Sequence, residues 1–210
     1  MYIDNLVIEV TRRCNLFCDH CLRGQSENID FNPDYLVSLI ENLEIDSINS
    51  ITLSGGEPTL RIGIIKQIRE ILSNYKIDLN SFYLATNGIN NNNPEFITEM
   101  LQWYLISGER EICEIQVSND IFHDYNDLGL LQGLSFASYK YNDNNTDHYA
   151  GLINDGNAQE NGIGNREETA YQYELENDYI PETVYLNCNG NLLSCCNLSY
   201  NTQDDEDTPF

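Results

Sequence analysis

Three cysteines, Cys14, Cys18 and Cys21, lie in one short stretch with the spacing Cys-x3-Cys-x2-Cys. They follow an apolar run, Leu6–Val10, that is typical of a β-strand. Three thiolates on one loop can bind a single soft metal centre. Structural zinc sites and ordinary iron–sulfur clusters take four protein ligands. A loop that offers three cysteines therefore predicts a metal centre with one coordination position left open for chemistry.

Two simpler interpretations of this loop compete with the open metal centre. A disulfide is disfavoured because the chain has seven cysteines, an odd number, and no charged and apolar leader precedes them. Zinc held by the three cysteines together with His20, or with a more distant histidine, fits the same spacing. The loop alone does not separate zinc from an iron–sulfur cluster.

A Gly-Gly-Glu-Pro motif forms the second polar group. Gly55, Gly56, Glu57 and Pro58 follow the predicted strand Ile48–Leu53. Glycine has no Cβ, so the backbone there can approach a ligand closely, and the glutamate carboxylate could pair with an ammonium group. An ordinary strand-to-helix turn also carries Gly-Gly, so this motif is weak evidence unless the cysteine loop is considered with it.

Polar side chains also follow the third and fourth predicted strands. Asn87 follows Phe82–Ala85, and Ser118 and Asp120 follow Ile112–Val117. These side chains suit hydrogen bonds to vicinal hydroxyl groups, although Asn, Ser and Asp also favour turns and caps. The sequence therefore offers either a ligand site or simple turn formation at these positions.

Strand and helix patterns alternate through residues 1–139. Repeated strand–helix units with short links predict a parallel sheet with helices outside it. Five or six such units are too few for a complete eight-fold barrel. The predicted fold is therefore α/β, a partial, TIM-like (β/α)5–6 parallel barrel with a C-terminal β-hairpin.

The same patterns divide the chain into four parts. We expect a partial-barrel core over 1–139, a polar loop or lid region that completes the barrel over 140–178, a hairpin extension over 179–203 and a solvated acidic tail over 204–210. Each polar group named above falls at the C-terminal end of a predicted strand. Because parallel α/β sheets place ligand sites at that edge, these groups should share one mouth.

The cysteine loop, with His20 in its aromatic position, and the Gly-Gly-Glu-Pro motif resemble the radical SAM superfamily. The resemblance implies that Cys14, Cys18 and Cys21 hold three irons of a catalytic [4Fe–4S] cluster. The amine and carboxylate of S-adenosylmethionine would then chelate the fourth iron. This resemblance covers residues 5 to about 139.

The resemblance also implies which residues bind the cofactor. The family's Gly-Gly-Glu-Pro motif binds the methionine amine, residues at the end of its fourth strand bind the ribose, and its third strand often ends in Thr-Asn-Gly. The implied cofactor-binding set is His20, Gly55, Gly56, Glu57, Pro58, Asn87, Ser118 and Asp120. Relatives carry Gly-Arg-Ala where this chain has Gly156-Asn157-Ala158, which leaves the cofactor carboxylate to another cation such as Lys140 or Arg166.

The reaction that the resemblance implies is radical chemistry. A one-electron donor such as flavodoxin or ferredoxin reduces the cluster, the cluster cleaves S-adenosylmethionine, and the deoxyadenosyl radical abstracts a substrate hydrogen. A small-molecule radical SAM enzyme, or a zinc or iron–sulfur binding module without this chemistry, is the alternative to a peptide-modifying enzyme.

The C-terminal hairpin bears on the substrate. Gly190 and Cys195 form a Gly-x4-Cys pattern similar to the start of the SPASM and twitch extensions of peptide-modifying relatives. The chain has no cysteine in the span expected before Gly190 and no later Cys-x2-Cys. With Cys188 and Cys196, the hairpin is a degenerate remnant, a substrate-facing element, or a site that a partner completes.

The net charge of −24 restricts the partners. Residues 1–105 carry −7 and residues 106–210 carry −17. Nucleic acid and anionic lipid are bound through Lys and Arg, so both are disfavoured as partners. The charge fits a basic substrate, an electron donor with a basic face, or simple solubility. No apolar run approaches the roughly 18 residues of a membrane span, and a cytoplasmic location is expected.

Overall fold

The computed structural model describes residues 1–119, 123, 128–141, 151–167 and 179–205. Its strands are β1 (Tyr2–Thr11), β2 (Ser47–Gly55), β3 (Asp78–Thr86), β4 (Glu114–Asn119), β5 (Ala137–Tyr141), β6 (Tyr179–Leu186) and β7 (Leu192–Leu193). Its α-helices are α1 (Asp34–Leu43), α2 (Ile62–Tyr75), α3 (Pro94–Ile106), α4 (Gly156–Glu160) and α5 (Tyr200–Asp204). Within these ranges, no helix combines the length and the apolar character that crossing a membrane requires.

The strands form one sheet in the order β5-β4-β3-β2-β1-β6-β7. Neighbours from β5 to β6 pair in parallel, and β7 pairs antiparallel with β6. The predicted α/β class, a partial barrel of parallel strands with a C-terminal β-hairpin, is confirmed. The chain does not place β6 beside β5, however. Instead β6 crosses to the other side of β1, where Ile8 lies opposite Leu186.

Two predicted elements differ from the observed ones. The fourth strand begins at Glu114 rather than at Ile112, because Arg110–Ile112 form a 3₁₀ turn before it. The sequence pattern also predicts a short helix over 124–131. The structure describes a 3₁₀ helix at Gly129–Gly133, and residues 124–127 lie outside the described residues. Both differences arise at segment ends, where local periodicity is a weak guide.

Strand β1 is buried on both faces because a hydrophobic cluster packs on each side of it. Leu6, Ile8 and Val10 point to the main core, which also contains the buried faces of α1, α2 and α3. Val7 points the other way, into a smaller cluster with Tyr185, Leu193 and Leu198. Alternate residues of one strand thus serve two separate cores.

Glu9 lies on the same face as Val7 and is fully buried, which requires a cation nearby. Arg12, also fully buried, donates from Nε to a Glu9 carboxylate oxygen at 3.1 Å. Its other nitrogens donate to Glu27 at 2.9 Å and to both carboxylate oxygens of Asp204 at 2.7 and 2.8 Å. Burial alone would lower the pKa of Arg12, but the bonds to Asp204, Glu27 and Glu9 raise it overall.

The salt bridge to Arg12 corrects one expectation about the acidic tail. Asp204 was expected in a solvated end, yet it forms a two-pronged ion pair with a buried guanidinium. The N–H groups of a buried guanidinium need acceptors, and the two carboxylate oxygens of Asp204 accept from two of its nitrogens. Helix α5 is therefore held against the end of β1, next to the cysteine loop.

We expect Arg12→Met to destabilise the fold by about 3–5 kcal/mol, because Glu9 would keep a buried charge without its cation. The measurement is the free energy of unfolding from urea denaturation. Arg13→Met is the matched control. Arg13 is partly exposed and pairs with Asp30 at 3.0 Å, so its loss should cost less than about 1 kcal/mol. Equal losses for the two variants would contradict this account of Arg12.

Candidate active site

One cavity of about 380 Å³ lies where the C-terminal ends of the first four strands meet. The structure brings together at this cavity every described residue of the predicted site. These residues are Cys14, Cys18, His20, Cys21, Gly55, Gly56, Glu57, Pro58, Asn87 and Ser118. Asp120 lies outside the described residues. The predicted common mouth is thus present, and the volume falls in the range of small-molecule sites.

The cysteine loop leaves β1 at Thr11 and presents three half-buried cysteines that form no disulfide. Turns within the loop fix their backbone, since Cys21 N–H donates to the Cys18 carbonyl at 3.1 Å. Ser26 Oγ accepts from Cys14 N–H at 2.9 Å. Burial raises the pKa of the Cys14 thiol, so a bound cation would be needed to favour its thiolate.

The donor set of this loop suits a metal cluster. Thiolates are the ligands that iron–sulfur clusters take, and the three thiols border open cavity volume rather than packed core. In the part of the chain that the structure describes, no group of three or more His, Cys, Asp or Glu side chains is arranged to hold a single metal ion.

Gly55 and Gly56 are required by a close approach of backbone to backbone. Gly56 N–H donates to the Thr11 carbonyl at 2.7 Å, and a Cβ on Gly56 would lie 2.4 Å from the Arg13 carbonyl oxygen. A Cβ on Gly55 would lie 2.2 Å from the Thr11 oxygen. The two glycines therefore let the β2 turn press against the start of the cysteine loop, a constraint that the sequence did not reveal.

We expect Gly56→Ala to destabilise the protein by more than about 2 kcal/mol, because the added methyl would meet backbone atoms that have no room to move. Gly63→Ala is the control, since a Cβ on Gly63 in α2 meets nothing within 4 Å. That change should stabilise the helix by about 0.5–1 kcal/mol. Thermal unfolding of both variants measures the difference, and a neutral Gly56→Ala would refute the contact.

The Glu57 carboxylate points into the protein. It is only 1% exposed, and Oε1 accepts from Thr59 N–H, Thr59 Oγ and Thr86 Oγ at 3.1, 2.6 and 2.8 Å. Oε2 accepts from Asn87 N–H at 2.7 Å. Burial raises the pKa of Glu57, and these hydrogen bonds oppose that shift. The carboxylate thus ties the β2 turn to the end of β3, with remaining acceptor capacity on Oε2.

Asn87 links the third strand to the cysteine loop. Its Nδ2 donates to Asn15 Oδ1 at 2.9 Å and lies 4.0 Å from Cys14 Sγ. The sequence suggested a contact with ligand hydroxyls, and the structure adds this contact with the loop. Ser118 reaches the same cavity from the end of β4.

Several lining residues were missed by the sequence reasoning. Gly151, Leu152 and Ile153 form one wall of the cavity, and Arg23 lies at its base. A local signal existed only for the arginine, because three of the chain's ten basic residues fall within residues 12–23. In a chain of net charge −24, three arginines so close together indicate that this part of the structure requires positive charge.

A second histidine also reaches the cavity. His123 packs edge-to-face on His20, with ring centroids 5.7 Å apart. Of the predicted candidates for the cofactor carboxylate, Arg166 is exposed and pairs through its backbone with Ile153. The Lys140 side chain lies outside the described residues. The assignment of that cation therefore stays a prediction.

The C-terminal cysteines lie apart from the loop thiols. Cys188 is buried, its thiol donates to the Glu9 backbone carbonyl at 3.1 Å, and burial raises the pKa of this thiol. Cys195 and Cys196 are half-buried and pack against the smaller hydrophobic cluster around Tyr185. The position of Cys188 indicates a packing role for its thiol.

Residues 8–107 match the family model described as "Radical SAM superfamily". That segment contains the three loop cysteines, the Gly-Gly-Glu-Pro motif and Asn87. Over this segment the chain is similar to the radical SAM superfamily of enzymes. Members of this superfamily use a [4Fe–4S] cluster and S-adenosylmethionine, which agrees with the three-thiol loop beside a small-molecule cavity.

Curated radical SAM relatives match part of the chain. The chain is 32% identical over 94 residues to GTP 3′,8-cyclase of Lactiplantibacillus plantarum and 38% identical over 88 residues to a probable GTP 3′,8-cyclase of Pyrococcus horikoshii. Each match covers 41% of this chain and 27% of the relative. The chain therefore spans little more than a quarter of the length of these relatives.

Two solved structures of radical SAM proteins are similar over 57% of the chain. One is anSMEcpe with bound AdoMet and the Cp18Cys peptide, at 20% identity, a TM-score of 0.40 and 32% coverage of that chain. The other is SuiB of Streptococcus suis bound to the precursor peptide SuiA, at 19% identity, a TM-score of 0.38 and 25% coverage of that chain.

Proposed function

We propose that this protein cleaves S-adenosylmethionine reductively and abstracts a hydrogen from a substrate bound in the 380 Å³ cavity. The observation that carries the proposal is the arrangement of three cysteines, none of them in a disulfide, on one loop that faces a cavity lined by every described cofactor-binding candidate. Cys14, Cys18 and Cys21 would hold the cluster. Reductive cleavage of the bound cofactor is the chemistry that a reduced cluster of this kind supplies.

The chain's own residues have separate tasks in this proposal. Gly55, Gly56 and Pro58 shape the turn that would receive the methionine amine, and Glu57 Oε2 offers its remaining acceptor capacity there. Ser118, with Asp120 beyond the described residues, would bind the ribose hydroxyls. Asn87 and His20 would contact the cofactor beside the cysteines. The apolar wall at Leu152 and Ile153 would exclude water from the reacting atoms.

The proposal also covers the electron donor, the cellular location and the division of the chain into parts. The cluster would take its electron from a donor such as flavodoxin or ferredoxin. Cys14, Cys18 and Cys21 form no disulfide, which fits a reducing compartment, so the protein would work in the cytoplasm. The division into a core over 1–139, a polar region over 140–178, a hairpin over 179–203 and a tail over 204–210 is part of the same proposal.

We expect Cys14→Ala, Cys18→Ala and Cys21→Ala each to abolish formation of deoxyadenosine, because each removes one cluster ligand. The measurement is anaerobic: iron and sulfide reconstitution, addition of dithionite and S-adenosylmethionine, then quantification of deoxyadenosine. Cys113→Ala is the control, since that buried thiol does not line the cavity. Bound zinc without sulfide, or a complete cluster that never cleaves the cofactor, would refute the proposed reaction.

For the substrate, we propose a peptide. Among the described residues that line the cavity, Arg23 is the only Lys or Arg. Its guanidinium donates to the Leu198 carbonyl at 2.6 Å and lies over the Tyr185 ring, 4.9 Å from the ring centroid. The described lining therefore offers little to a triphosphate, whereas a chain of net charge −24 attracts a basic peptide.

GTP is the second candidate, because the relatives named GTP 3′,8-cyclase share 32–38% identity with this chain over the matched segment. Substrate dependence of deoxyadenosine formation separates the two candidates. We expect a pool of synthetic lysine-containing peptides to stimulate the reaction and GTP to leave it unchanged. Stimulation by GTP alone would favour the small-molecule alternative.

A further inference from the structure

Helix α4 packs against the backbone of the cysteine loop, and none of its residues lines the 380 Å³ cavity. A Cβ on Gly156, the first residue of this helix, would lie 2.2 Å from the Leu22 carbonyl oxygen. The residue has a positive φ of 56°, so glycine is required there for both space and backbone conformation. The glycine therefore allows the backbone of α4 to lie directly against the backbone of the cysteine loop.

Asn157 uses this close approach to bind two of the cysteine carbonyls. Its backbone N–H donates to the Cys21 carbonyl at 2.9 Å, and its side-chain Nδ2 donates to the Cys18 carbonyl at 3.0 Å. Its Oδ1 accepts from Gln25 Nε2 at 3.2 Å, just after the loop. The residue is only 7% exposed, so water competes little for these bonds.

The helix that carries Asn157 is itself fixed to the C-terminal segment. The Asp155 carboxylate accepts from Gly156 N–H at 2.9 Å and from Ser199 N–H at 2.7 Å. Ser199 in turn begins α5, which holds Arg12 through Asp204. These hydrogen bonds hold α4, and with it the Asn157 side chain, in place beside the cysteine loop.

We propose that Asn157 is a positioning residue that orders the Cys18–Cys21 turn, and through it the direction of two cluster ligands. The inference rests on the proposed function, since it assigns a task at the same cluster loop. The Cys18 and Cys21 carbonyls each accept one bond from within the loop and one from Asn157. Fixing both peptide planes fixes the Cα–Cβ directions of the two cysteines before a cluster is bound.

The test compares Asn157→Leu with Asn161→Leu. Leucine has nearly the shape of asparagine without its hydrogen bonds and adds no charge. Asn161 lies one turn further on and is exposed, and its side chain donates to the Asp19 carbonyl at 3.1 Å rather than to a cysteine carbonyl. Amide hydrogen exchange in the cluster-free protein measures the order of the turn through the N–H groups of Cys21 and Gly24.

We expect Asn157→Leu to speed exchange of these two amides by about fivefold, which corresponds to the loss of one hydrogen bond of about 1 kcal/mol. Exchange in β1–β3 should be unchanged, and Asn161→Leu should match the parent protein throughout. After reconstitution, the reduction midpoint potential or the electron paramagnetic resonance signal of the cluster should shift in Asn157→Leu only. If Asn157→Leu does not fold, Asn157→Ala takes its place.

Two results of the exchange measurement would overturn the inference. One is equal exchange of the turn in both variants and the parent, and the other is an increase that spreads over the whole sheet. A cluster with unchanged potential and signal in Asn157→Leu would also overturn it. Failure of the parent protein to bind any cluster would instead refute the proposed function, and the exchange of the cluster-free turn would still decide the role of Asn157.

Discussion

The buried ion pair between Glu9 and Arg12 is the interaction on which the arrangement of this molecule depends. A carboxylate and a guanidinium removed from water require complete sets of partners, because an unmatched charge in the interior costs several kcal/mol. Glu9 obtains its partners from Arg12, the Tyr185 hydroxyl and the Cys188 backbone N–H. Strand β1 is therefore joined to the C-terminal hairpin immediately before the cysteine loop begins.

The same C-terminal segment also holds the C-terminal end of the cysteine loop. Arg23, two residues after the last loop cysteine, donates to the Leu198 carbonyl, and its own carbonyl accepts from Tyr200 N–H at 3.1 Å. One arginine before the loop and one after it are thus both bound by residues 185–204. The cysteines themselves are left facing the cavity, so these two positive charges serve to hold the two ends of the loop.

The meeting of the site residues at one edge of the sheet was predictable, because it follows from local sequence patterns and one topological rule. The apolar runs before Cys14, Gly55, Asn87 and Ser118 mark strands, and parallel strands bring their C-terminal ends together. The partners of Glu57 were not predictable in this way, since a carboxylate gives no local sign that Thr59, Thr86 and Asn87 will surround it. The pairing of β6 with β1 and the contact of Asp204 with Arg12 also escaped, because each joins residues separated by almost the whole sequence.

The position of β6 has a consequence for the order in which the molecule forms. Asn5 of β1 and Thr183 of β6 meet in a hydrogen bond across 178 positions of sequence. During synthesis, β1 and the cysteines are made well before β6, the strand that covers the edge of β1. Contacts of such long sequence separation form slowly, and an uncovered strand edge is a template for wrong pairing. The edge of β1 is therefore open to wrong pairing until β6 has been made.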